Sequence, residues 1–443
     1  MNYNMTIDSS ISHVNKCIES NKEDQYKNDA SDYLPIGPGE AEKQNLDWDR
    51  VNQTLIEDLF QLSIGTRDRE SLRKNILKSF GSSRDTRELV EIVDELYLSS
   101  NAVKAITPLA YLVSNQGKVS ARTKAMINVV QGLLNSPLKA QPTLSGNNPL
   151  ESLLIEKIHA LCQSKAFDEK RITYLPFLAD MFSSDIKVLL ENPSYFLSEL
   201  ESFLNIYTFL YLTQLTIQLC ITDNRYKVPS AKPLYFILET ERASRERHEC
   251  NQYGYDYLFS KTRGIAFNVF PNLGYFGCVS EEPSWMLINN KPNDFVIKVN
   301  ELNQGVASLF GEIYRQEDLL HEALNTGLAL QKQIFEKSSR KDANNKVVGI
   351  FEKIFSAEFI TDRKSAGKYF VLNSNVLLLL TNIVIDGASE NKLLIDDVIE
   401  GFERRGIWLD LKSRKALLKF YENVGNIEKL SDSGDAVYVK TTI

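Results

Sequence analysis

Apolar residues recur at three- and four-residue spacing through most of the chain, the period of an amphipathic helix. From Trp48 to Asn135 the stripes include Leu55, Leu59 and Leu62, then Leu89, Ile92, Val93 and Leu96. Pro137 to Pro149, rich in Pro, Gly and Asn, predicts a loop and a subdomain boundary. Leu150 to Cys220 is helical again, with Pro176 and Pro193 as breaks. The most apolar window, Phe196 to Cys220, is interrupted by Glu199, Glu201, Asn205, Gln214 and Gln218. That predicts a buried helix or helical pair rather than a membrane span. Farther on, Val299, Leu302, Val306, Leu309 and Ile313 alternate spacings of three and four, a coiled-coil seam. Leu320, Ala323, Gly327, Leu330 and Ile334 continue the register with weaker knobs, and Gly327 weakens it locally. Such a seam packs within the chain or recruits a partner helix. Ser338 to Asn345, polar and charged, reads as a linker.

Two stretches break this period. Met1 to Asn45 is rich in Asn, Ser, Asp, Glu and Lys and ends in a turn-prone run at Leu34–Gly39, which predicts a flexible arm. Pro229 to Trp285 gathers Tyr253, Tyr255, Tyr257, Phe259, Phe267, Phe270, Tyr275 and Phe276 among Gly254, Gly264, Gly274 and Gly277. This composition predicts an irregular β segment or a tightly packed loop. Interleaved aromatics also stack single-stranded bases, but basic residues are few here beyond Lys261 and Arg263, which favours a core or interface role.

The C-terminal stretch is the most regular. Ser374 caps a helix containing Val376, Leu377, Leu378, Leu379, Leu380, Ile383 and Val384, apolar nearly all round, and Asp386-Gly387 ends it. A second helix runs from about Lys392 to Arg405, with Ile395, Val398, Ile399 and Phe402 on one face and Gly406 as its left-handed stop. Ile407-Trp408-Leu409 predicts a short strand. Asp410 caps a third helix whose inner face holds Leu417, Phe420 and Val424, and Gly425 stops it. Ile427–Leu430 and Ala436–Thr441 make a hairpin around Ser431-Asp432-Ser433-Gly434. Three helices followed by a hairpin predict a winged helix-turn-helix. At about 100° per residue, Lys412, Lys415 and Lys419 share one narrow outer arc, as on a helix entering a major groove. Tyr438 and Lys440 share the outer face of the wing. Those five residues are the candidate DNA contacts. A solvated lysine face or a protein-docking face accounts for the same pattern. Acidic residues of this stretch slightly outnumber basic ones, which argues against a strong stand-alone DNA binder.

The expected fold is mainly α, a multi-helical scaffold with a small aromatic, β-containing segment and a C-terminal winged helix-turn-helix. The expected organisation is an arm (1–45), a helical domain (46–225), an aromatic, Gly-rich segment (226–292), long amphipathic helices with a linker (293–345) and the winged-helix module (346–443). A length of 443 residues suits about two or three domains. The net charge of −7 excludes general coating of nucleic acid and leaves room for a local basic patch. Cys17, Cys162, Cys220, Cys250 and Cys278, and His13, His159, His248 and His321, are too scattered for a metal or redox motif, which suits reduced thiols in a cytoplasmic protein. No signal peptide is recognisable at the N-terminus.

Motifs for catalysis are missing. The nearest approach to a phosphate loop, Ser365-Ala366-Gly367-Lys368-Tyr369, lacks the upstream glycine and the magnesium-binding hydroxyl and reads as a turn. Glu-Lys dipeptides read as surface charge. The densest charged run, Glu239 to Glu249, places Glu241–Arg245, Arg242–Glu246 and Arg245–Glu249 at i,i+4 and predicts a solvated, salt-bridged helix worth only ~0.3–0.5 kcal/mol per pair. The alternative is an active-site or phosphate-binding cluster around Arg242, Arg245 and Arg247, with Glu241 and Arg245 as the residues to test in a metal-dependent nuclease.

Phe402–Asp410, Leu417–Tyr421, Lys429–Lys440 and Tyr235–Ser244 together resemble the DptG family, a component of bacterial phosphorothioation-dependent restriction systems. The resemblance covers about a fifth of the chain. It implies a non-enzymatic, cytoplasmic defence subunit without cofactors, acting with the ATPase partners DptF and DptH against DNA lacking backbone sulfur. It carries over no catalytic residue. A free-standing DNA-binding regulator is a further reading, weakened by so long a helical region.

Overall fold

A computed structural model describes residues 5–26, 33–34, 46–65, 69–81, 84–100, 102–113, 118–138, 140–168, 173–220, 225–242, 246–259, 264–292, 294–338, 340–388, 391–429 and 437–442. The chain is mainly helical with small sheets. At its centre lies one unbroken helix, Pro193–Cys220, buried from Phe203 to Leu219. Such burial needs its polar side chains satisfied. Thr208, Thr213 and Thr216 donate back to the carbonyls of Leu204, Phe209 and Leu212. Helices Pro176–Glu191, Ile265–Val279, Ser374–Gly387 and Ala121–Leu133 pack around it. Among the described residues no helix is long and apolar enough to cross a membrane.

Among the described residues the core has two large apolar clusters and a small third one of Ile237, Cys250, Tyr369 and Val371. The first draws residues from Leu34 to Val439. The second joins helices Phe295–Leu309 and Leu320–Lys337 to an N-terminal helix, Met5–Glu19. That helix replaces part of the expected flexible arm. Ile7, Ile11 and Val14, at i, i+4 and i+7, are buried against Phe295–Leu309, and each such side chain contributes roughly 1.5–3 kcal/mol. Pro35–Gly39 lies outside the described residues. The seam Val299, Leu302, Val306 and Leu309 is buried within the chain. Ile313 does not extend it, because the helix ends at Leu309 and Ile313 is 97% exposed. Gly327, expected as a weak point, is a close-approach site: a Cβ there would stand 2.2 Å from the Tyr275 hydroxyl. The expected linker at Ser338–Asn345 is mostly the start of a helix, Arg340–Phe359.

The aromatic segment is not an irregular β region. After one strand, Tyr235–Leu238, it forms helices His248–Gln252, Tyr255–Phe259, Ile265–Val279 and Ser284–Asn290. Pro271 sits inside the third of these. Burial of Ile265, Val269, Leu273 and Tyr275 outweighs the poor helix propensity of Pro and Gly. Tyr255 stacks on Phe259 at 4.8 Å, and both rings meet Phe370, so these aromatics are core. Lys261 and Arg263 lie outside the described residues.

A four-stranded sheet runs in the order Ile360–Asp362, Lys368–Leu372, Tyr235–Leu238, Trp408–Leu409. The first pair is antiparallel, and the turn between them, residues 363–367, includes Ser365, Ala366 and Gly367, the last at φ +91°, while Lys368 and Tyr369 begin the next strand. The other pairs are parallel, registering Ile237 on Val371 and Tyr235 on Trp408. Beyond the sheet, Ser374–Gly387, Ile395–Arg404 and Leu411–Val424 are helices. Asn373, not Ser374, caps the first of them by accepting from the Val376 N–H. The second helix starts later than expected, because Lys392–Leu394 is a strand. It pairs antiparallel with Val437–Lys440, which pairs in turn with Ile427–Lys429. The expected short strand forms at Trp408–Leu409 and belongs to the four-stranded sheet. The turn Ser431–Gly434 lies outside the described residues.

Candidate nucleic-acid interface

Asp410 caps helix Leu411–Val424 by accepting from the Ser413 N–H at 2.8 Å. The buried positions are Ser413, Leu417 and Tyr421, spaced by four. Phe420 is only half-buried and Val424 is exposed, unlike the expected inner face. Tyr421 takes the inward place because its hydroxyl meets that of Thr381 at 2.6 Å on the Ser374–Gly387 helix. Lys412, Lys415 and Lys419 are all exposed on the opposite side, and none has an ion pair among the described residues.

The wing is less free. Tyr438 is half-buried, Lys440 is exposed and Val439 turns into the core. Lys392 and Lys440 face each other across the strands, a like-charge pairing that destabilises by itself. Glu428 resolves it by bonding both ammonium groups at 2.6 Å. Its carboxylate is held down to about 2 by those two hydrogen bonds. Lys392 also stands 5.0 Å over the Tyr438 ring. The two lysines and one glutamate leave a net single positive charge on this face.

Two buried ion pairs hold the turn between the second and third helices. At its start, Arg405 Nε donates to Asp185 Oδ2 at 2.7 Å and Nη2 to Oδ1, while Nη1 reaches the Gly401 carbonyl at 2.6 Å. The Tyr207 hydroxyl donates to the same carboxylate. Burial opposes the Arg405 charge, but the adjacent Asp185 carboxylate outweighs it and raises its pKa. At the end of the turn, Arg247 Nε donates to Asp410 Oδ2 at 2.7 Å, Nη1 to Glu241 Oε2 at 2.7 Å, and Nη2 to Asp410 Oδ1 and Ser413 Oγ. Ser413 Oγ donates to Glu241 Oε1 at 2.7 Å, which also accepts the Leu238 N–H. Burial works against the Asp410 charge, yet Arg247 and the Ser413 N–H hold its pKa below the usual carboxylate range. Burial, with Asp410 beside it, pushes the Cys250 thiol up to about 12. Between the two pairs, Gly406 takes φ +91°, its carbonyl accepts from Gln214, and the Trp408 N–H donates to the Leu234 carbonyl.

This network corrects the expected solvated helix at Glu239–Glu249. Among the described residues of this run helix is present only from His248, and Arg247 is 2% exposed. A local pattern of alternating charge concealed a partner 163 residues away. Arg245 lies outside the described residues. Both Glu241 oxygens are engaged, so Glu241 positions the third helix. Arg405, at the end of its helix, is buried on Asp185, a pairing that no local pattern announces. A usable signal was Asp185, an acid in line with Leu178, Phe182 and Leu189 on the buried face of its helix. Among the described residues no three His, Cys, Asp or Glu side chains gather to hold a metal ion. No protein-family model and no curated protein matches the chain.

Proposed function

We propose that Ser374 to Thr442 is a winged helix-turn-helix that docks on duplex DNA through helix Leu411–Val424. We propose further that the chain is a non-enzymatic subunit of a phosphorothioation-dependent restriction complex. The observation that carries the first reading is the strand order. Lys392–Leu394 closes the hairpin into a three-stranded antiparallel sheet beside three helices, the arrangement of a winged helix. Its third helix presents Lys412, Lys415 and Lys419 outward as unpaired cations among the described residues, and phosphate neutralisation dominates affinity for duplex DNA. Tyr438 and Lys440 on the wing would contribute less, because Glu428 already neutralises part of the wing.

The test is binding of a labelled duplex to the full chain and to a K412A/K415A/K419A variant. Affinity should fall at least about tenfold in the variant, with a shallower salt dependence. Unchanged binding would remove this helix as the contact. The assembly reading rests on the resemblance to DptG. It expects two ATPase subunits, DptF and DptH, to co-purify with the chain from native cells after nuclease treatment. Recovery of the chain without any ATPase would sink that part alone.

A further inference from the structure

We infer that this interface grips duplex nucleic acid by its phosphates and does not read base sequence, an inference that rests on the winged-helix reading above. In helix-turn-helix proteins the N-terminal residues of the recognition helix touch base edges. Here three of them, Asp410, Ser413 and Arg414, are engaged by the scaffold, and Lys412 is left free. Asp410 and Ser413 are buried on Arg247. Arg414 donates to Glu403 Oε1 at 2.7 Å and to the Leu409 carbonyl at 3.1 Å. Its guanidinium, the group best shaped to pair with guanine, is held by Glu403 and the Leu409 carbonyl, with the side chain 40% exposed. Leu411, 78% exposed at the tip, offers only methyl groups. Asn423, an exposed amide able to read adenine, lies at the far end of the helix.

What remains free is a row of ammonium groups. Lysine is a compact point charge on a flexible stem, suited to a phosphate and poorly suited to a fixed planar pattern. Lys412, Lys415 and Lys419 extend over about 10.5 Å of helix axis, the length of about three phosphates along one DNA strand. The buried pairs at both ends of the preceding turn also prevent the helix from reorienting to free Asp410, Ser413 or Arg414. Exposed Asp396, Asp397 and Glu400 on the neighbouring helix repel phosphate and keep the affinity modest.

The test uses the full chain, short duplexes of unrelated sequence and a selection from a randomised duplex pool. Affinities should agree within about twofold, the pool should yield no consensus, and log affinity should fall against log salt with a slope of about −2.7 for three contacts. Each single lysine-to-alanine change should flatten that slope by about one. A consensus from the pool, or a preference above about a hundredfold for one duplex, would overturn the inference and leave the winged-helix reading standing. Absence of binding to any duplex at low salt would overturn both.

Discussion

Arg247 shows how much the placement of helix Leu411–Val424 depends on a side chain far from it in sequence. Two carboxylates and a hydroxyl take four of its five N–H donors out of solvent, and all three belong to groups that fix the start of helix Leu411–Val424. Removing one partner of a buried pair strands the other charge, which typically costs about 3–5 kcal/mol. Asp410→Asn is the cleaner change, because asparagine still caps the helix while the charge is lost. It should lower the midpoint of urea unfolding markedly at neutral pH. The pH dependence has a definite sign. The Asp410 pKa in the folded chain lies below its ordinary value of about 3.9. Its contribution is therefore fully present above about pH 4 and is lost as pH falls through the depressed value. The stability gap between the native chain and Asp410→Asn should close in acid. A gap that stays constant with pH would show that Asp410 contributes no charge-dependent stability.

At the scale of elements, legibility followed locality. Helix Ser374–Gly387 and the strands Ile427–Lys429 and Val437–Lys440 stand where the apolar and alternating patterns put them. So do the buried face of Ile395–Arg404 and the glycine stop at Gly406. Lys392–Leu394 was missed because Lys-Leu-Leu fits the start of a helix as well as a strand, and only pairing with Val437–Lys440 decides between them. Trp408–Leu409 read correctly as β, while its partner was not legible, since a parallel bridge to Tyr235–Leu238 leaves no local trace. The aromatic helices were hidden by Pro271 and the glycines, whose propensities lose to burial. Gly401 shows the same dependence on context: a Cβ there would lie 2.6 Å from Val384 Cγ1, so its small size sets how closely two helices approach. The candidate lysines were legible because exposure on a capped helix is a local property. The clamp behind them was not, because its members come from four distant stretches of chain.

Across the whole molecule the C-terminal helices are continuous with the scaffold. Leu417, Tyr421 and Val439 share one apolar cluster with the central helix Pro193–Cys220. Helix Ile265–Val279 links that cluster to the second one, giving Val269 and Leu273 to the first and Tyr275 and Val279 to the other. A force on helix Leu411–Val424 is thus borne by the sheet and the central helix rather than by a flexible tether. Docking on DNA through this face would hold the scaffold in a fixed orientation for whatever partner it carries. Cooperative units of this kind open together in hydrogen exchange. The amides of Leu417 and Tyr421 should exchange through the same global opening, with the same free energy and urea dependence, as those of Leu212 and Leu215. Helix Met5–Glu19 packs on the second cluster alone and should open at lower free energy. If Leu417 and Tyr421 instead exchange through a separate, low-energy opening, the helix is hinged on the scaffold, and the rigid linkage between the lysine face and the rest of the chain fails.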